Sequence, residues 1–191
     1  MNFITSREEF NAAHETLLDL IALDKPLGRS SFSNNLTEFR LLSFSSILNR
    51  YFFRAIRELG HDIGDASMYL MTTDPDPVEY ERDFGRYNAI TFDASDTSKD
   101  FLSTLNDGPN GISAASIMDN SDLLFVFPSD KKWLVAGSRE INLAMCCFVN
   151  RDVRTKFQRN YKWGFFKNAE SAATFSFETT GRTINPSSLP V

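Results

Sequence analysis

Apolar residues recur along this chain with two periods. From Ser6 onward Phe10, Ala13, Leu17 and Ile21 share one face at helical spacing, and Ser6 with Glu9 three positions later has the form of a capping box. A first helix is therefore predicted over about Ser6–Leu23, closed by "DKPLG". A second helical region is predicted over Asn34–Leu59. Its stripe is Leu36, Phe39, Leu42, Ile47, Tyr51, Ala55, Ile56 and Leu59, and the Ser-rich step Ser43–Ser46 bends or splits it. Arg50, Arg54 and Arg57 fall on a neighbouring face and read as a solvated row.

Beyond Gly60 the period changes. "ASMYLMT" and "YNAITFDA" read as strands, with "DPDPVEYERDFGR" between them as a long acidic loop; Ser98–Leu105 reads as a short helix before the turn-rich "NDGPNG". From Asp122 to Val149 three apolar runs are separated by "PSDKK" and "GSRE", which predicts an antiparallel meander. "NRDVRTKFQRNYKWGFFKN" then reads as a basic helix ending near Gly164, "AATFSFETT" as a last strand, and "INPSSLPV" as a tail without a core anchor. The fold class expected is α+β, with N-terminal helices packed on a mainly antiparallel sheet that includes the C-terminal meander. One domain is expected over 1–191, with 184–191 frayed.

Composition supports this picture. A chain of 191 residues buries roughly 70% of its unfolded surface, and 42% hydrophobic with 24% charged residues is ordinary globular usage. The 18 phenylalanines are spread over every segment, as core filling would be. Cys146 and Cys147 are adjacent and point to opposite sides of an extended chain, so buried free thiols are expected rather than a disulfide. No run approaches the ~20 apolar residues of a membrane span, and the first residues lack a signal-peptide pattern, so a cytoplasmic protein without a membrane partner is expected.

Charge is the most uneven property. Residues 1–61 carry 7 acidic and 7 basic side chains, 62–130 carry 14 and 3, and 131–191 carry 4 and 10. The acidic middle block could steer a basic partner, with Asp74, Asp76, Glu79, Glu81 and Asp83 as its candidate contacts.

Three functional patterns stand against this background. "AIRELGHDIGD", Ala55–Asp65, resembles the central motif of the HD-domain metal-dependent phosphohydrolases. The resemblance implies a divalent metal held by His61 and Asp62, with His14 and Asp119 completing the set. Against it, His14 is the only other histidine and the following chain is strand-rich, so the stretch is read as a helix end with Gly60 in the left-handed position after the last turn. No cofactor or metal is expected, and an enzyme is disfavoured. Residues 150–167 supply Arg151, Arg154, Lys156, Arg159, Lys162 and Trp163 to a nucleic-acid reading. Ordinary amphipathicity and a pI of about 5.1 count against that partner.

The third reading is favoured. "LLFVFPSDKKWLVAGSREINLAMCCF", Leu123–Phe148, resembles a pattern in bacterial immunity-type proteins, carried by Trp133, Arg139 and Glu140. The resemblance implies a non-catalytic protein that binds and neutralises a basic cognate toxin, with those three residues and the acidic stretch as its contacts.

Overall fold

A computed structural model describes residues 1–64 and 67–190. Asp65 and Ala66, which the predicted motif and strand include, lie outside the described residues, as does Val191. Seven strands among them form one sheet: β1 (Asn2–Phe3), β2 (Glu38–Ser43), β3 (Met68–Asp74), β4 (Ala89–Phe92), β5 (Leu123–Pro128), β6 (Trp133–Ser138) and β7 (Leu143–Phe148). Their order is β1-β4-β3-β5-β6-β7-β2, and every pairing is antiparallel. Six α-helices accompany them: α1 (Arg7–Leu18), α2 (Arg50–Ile63), α3 (Pro77–Phe84), α4 (Ser98–Asn106), α5 (Arg151–Asn160) and α6 (Ala169–Thr180). This is the α+β class and the C-terminal meander that the sequence predicts.

The sheet is covered on both faces. Side chains of β5, β6 and β7 alternate between two cores, as period-two geometry requires. Leu124, Val126, Trp133, Val135, Ala144, Cys146 and Phe148 face α2, α4 and α5. Phe125, Phe127, Leu134, Ala136, Met145 and Cys147 face α1 and α6. Burial on both faces explains the nearly continuous apolar runs of these central strands. Gly137 has a packing duty: a Cβ there would lie 2.6 Å from Ile47 Cδ1 and 2.9 Å from Phe44 Cδ2, so glycine lets the 3-10 turn Phe44–Leu48 settle on β6. The two thiols lie in different cores and are free, as expected, and burial pushes both above the usual thiol range.

Several predicted elements are corrected. The first helix stops at Leu18, and Ile21 reaches the core through a bridge to Phe32. The second predicted helix is three elements: β2, the 3-10 turn at the Ser-rich step, and α2, which starts at its cap Asn49. The stripe Leu36, Phe39, Leu42 mimicked helical spacing, but Leu41 and Leu42 belong to opposite cores, and the strand is set by pairing with the distant β7. Tyr51, assigned to the apolar stripe, is 61% exposed.

Gly60 lies inside α2. The left-handed cap is Gly64, φ 76°, one turn later. The acidic loop contains α3. The last predicted strand is α6, which buries Ala169, Ala172, Ala173 and Ser176 at helical spacing while Phe177 stands in solvent. The tail does have an anchor, since Leu189 is buried among the α1–α6 core residues.

Candidate functional site

The register aligns Asp74, Leu123, Ser138 and Leu143 at one end of the sheet. At that end β3 runs into α3, and β6 turns into β7 through Arg139–Asn142, with Asn142 at φ 50°. Asp76 caps α3, its Oδ1 accepting from the backbone N–H of Val78 and of Glu79, both at 2.9 Å. The helix is tethered by Tyr80, whose hydroxyl donates to the carbonyl of Ala115 at 2.6 Å.

Arg139 reaches back across this end. Its Nε donates to Ser121 O at 2.9 Å and its Nη2 to Met118 O at 2.7 Å, and the guanidinium lies 4.9 Å from the centroid of the Phe44 ring. Asp122 is 3.9 Å from it, and Glu140 pairs with Arg182 at 3.0 Å. Asp74, Asp122, Arg139, Glu140 and Arg182, with Leu123 and Ser138, line a cleft of about 400 Å³. Leu123, Ser138 and Glu140 also border a neighbouring cavity of about 420 Å³ whose walls are largely apolar, among them Ile21, Leu27, Phe125 and Ile184. The cleft gathers three carboxylates and two guanidiniums, with Glu140 paired to Arg182 and Asp122 near Arg139, while Asp74 makes no ion pair among the described residues.

The structure thus brings Asp74 to the adjacent pair Arg139 and Glu140 from a distant part of the chain. Asp76 and Glu79 follow on the exposed surface of α3, Glu81 is half-buried, and Asp83 is exposed and paired with Arg82 at 3.0 Å. Trp133 does not join them. It begins β6 at the far end, points into the core and has no exposed surface, so it cannot be a contact residue. Asp122 and Arg182 were not singled out from the sequence, because only strand register and the α6–tail packing carry them to the cleft.

The residues of the metal reading stay apart. His14 stacks on Phe10 with ring centroids 5.6 Å apart, and α1 packs on one face of the sheet. His61 and Asp62 are exposed in the last turn of α2 on the other face, at the end marked by the contact from Lys132 Nζ to Ile63 O, 3.2 Å. Asp119 belongs to a turn with Ser116 near the Arg139 end. Among the described residues no group of three or more His, Cys, Asp or Glu could hold a metal ion.

The basic segment divides. Arg154 pairs with Glu38 of β2 at 2.5 Å, which ties α5 to the sheet, and Lys156 makes a surface pair with Asp152 one turn earlier at 3.1 Å. Arg151, Arg159 and Lys162 are exposed and make no ion pair among the described residues, and Trp163 is 77% exposed.

Comparison with protein-family models, curated proteins and solved structures finds no match to this chain. No helix of the described residues is long and apolar enough to cross a membrane.

Proposed function

We propose that the chain is a non-catalytic interaction protein that docks a basic protein partner on its acidic sheet end, and that neutralisation of a cognate toxin is the biological form of that binding. The reading rests on one observation. Asp74, Asp122 and Glu140 line one cleft just before the exposed Asp76 and Glu79 of the α3 start, and of the two arginines there Arg139 is turned onto main-chain carbonyls and Arg182 pairs with Glu140. A carboxylate surface of this kind speeds encounter with a basic partner and disfavours acidic ones. The cytoplasmic location expected from the sequence belongs to the same proposal.

The test is growth rescue. The chain is co-expressed with each protein encoded beside its gene, and any neighbour that is toxic alone and harmless in its company is then purified for association kinetics. Asp74→Lys with Glu79→Lys should slow association by roughly tenfold at low salt and by less at high salt. Asp76→Asn removes a charge while keeping a capping oxygen, so its effect should be electrostatic alone. Unchanged association in these variants, or the absence of any toxic neighbour, overturns the reading.

A further inference from the structure

We infer that the outer surface of the α2–α5 pair is a stacking site for single-stranded nucleic acid, with Tyr51 and Trp163 as its two platforms. The inference goes beyond the acidic-end reading and rests on different residues.

Tyr51 and Trp163, 61% and 77% exposed, line one cavity of about 490 Å³ together with Asn49 and Tyr161. That volume falls in the ~300–1,000 Å³ range of ligand sites. The floor is fixed. Tyr161 is buried and packs at 5.8 Å on Phe157 and at 6.0 Å on Phe52, centroid to centroid. Asn49 is held by accepting from the N–H groups of Tyr51 and Phe52 and by donating to Ser46 O at 2.7 Å. Trp163 is displayed at a turn completed by Gly164, φ 81°, between the buried Tyr161 and the half-buried Phe165.

The cations around these rings favour an anionic polymer over a neutral sugar or a proline-rich peptide. Arg50 lies 4.8 Å from the Tyr51 ring centroid and donates to its hydroxyl at 2.8 Å. Arg54, Arg159 and Lys162 are exposed and make no ion pair among the described residues. The carboxylates near α2 are engaged: Glu58 by Arg57 at 2.8 Å, Asp96 by the Met1 amino group and Asp100 by Thr97. Exposed rings with a face left free, beside exposed cations, are the requirements for base stacking with phosphate contact. The net charge of −5 does not oppose this. α5 lies over β7 and β2 at one edge of the sheet, and the local field, not the total, acts on a bound strand.

The two tryptophans make a clean test, because Trp133 is buried and a stacking ligand can reach only Trp163. The full chain is titrated with an oligothymidylate of roughly 10 nucleotides. Saturable quenching is expected, with affinity that falls with salt by a slope of about 0.7 per phosphate contacted. By anisotropy of the labelled oligonucleotide, Trp163→Ala and Tyr51→Ala should each weaken binding roughly five- to a hundred-fold, the loss of one base stack. Lys162→Gln should lower the salt slope, while Asp74→Lys with Glu79→Lys leaves the platform intact. Both ring variants remove exposed side chains, and a melting curve checks that they fold. Absence of saturable binding at low salt, binding indifferent to both ring variants, or duplex bound as well as single strand without quenching overturns the inference.

Discussion

The acidic sheet end and the α2–α5 surface are both charged, and they differ in what their side chains do for the fold. At the acidic end the candidate contacts are also structural: Asp76 caps α3, Arg139 satisfies the carbonyls of Met118 and Ser121, and Glu140 pairs with Arg182. At the other surface Trp163, Arg159 and Lys162 support nothing that the structure describes. Substitutions at the first site therefore mix stability with recognition, whereas those at the second separate them.

The largest effect is expected at the tryptophan belonging to neither surface. Trp133→Ala should cost about 3–5 kcal/mol in urea unfolding. Trp133→Phe should recover most of that, because a phenyl ring still fills much of the site and the buried Nε1, without a hydrogen-bond partner among the described residues, disappears. Equal losses would mean that this nitrogen is satisfied after all.

Next comes Arg139→Ala, which orphans two carbonyls and should cost about 1.5 kcal/mol, near the lower end for hydrogen bonds to a charged group because the side chain is partly exposed. A fully stable variant would detach Arg139 from the scaffold and return it to the candidate contacts. Asp76→Ala should cost about 1 kcal/mol through the lost cap, with Asp76→Asn near wild type. Trp163→Ala should stay within about 0.5 kcal/mol, and a larger loss would erase the contrast between the two surfaces.

The smallest effect is a pH dependence. The hydroxyl and N–H of Ser95 hold the Asp93 carboxyl below its usual range, and those of Thr97 hold Asp100 below it. A carboxyl depressed in the folded state contributes stability above its unfolded pKa of about 3.9, and that contribution is lost as pH falls toward the folded value. Thermal melts should therefore show a small loss below about pH 4, reduced in Asp93→Asn with Asp100→Asn. An unchanged acid limb in the double variant would assign the loss to other carboxylates.

The sequence was most legible where local pattern and tertiary role agree. The meander carries its turns in "PSDKK" and "GSRE", and its strands are apolar because both faces are covered. It misled where a long-range partner decides. Glu38–Ser43 is a strand because β7 pairs with it, and Leu36, Phe39 and Leu42 carry no trace of that pairing. For α6 the signals were present in Asn168, a capping residue, and Gly181, φ 72°, but the alternating phenylalanines of "TFSF" outweighed a stripe of alanines that buries by close approach. Of the acidic end, the residue types were readable and their convergence was not, since Asp74 and Glu140 meet only through the order β3-β5-β6. Helical spacing groups Tyr51 with Ala55 in the apolar stripe and cannot show that the α2 surface at this point is bare.

The adjacent thiols turn this architecture into an instrument. Cys146 is sealed beneath α2 and α5, while Cys147 is sealed beneath α1 and α6. A small alkylating reagent can reach either sulfur only when the helices above it lift away, so the two labelling rates clock the breathing of two layers from neighbouring positions in one strand. Mass spectrometry of singly labelled chains would then show which layer opens first, and whether a partner bound at the acidic end or an oligonucleotide on the aromatic surface quiets one layer without the other.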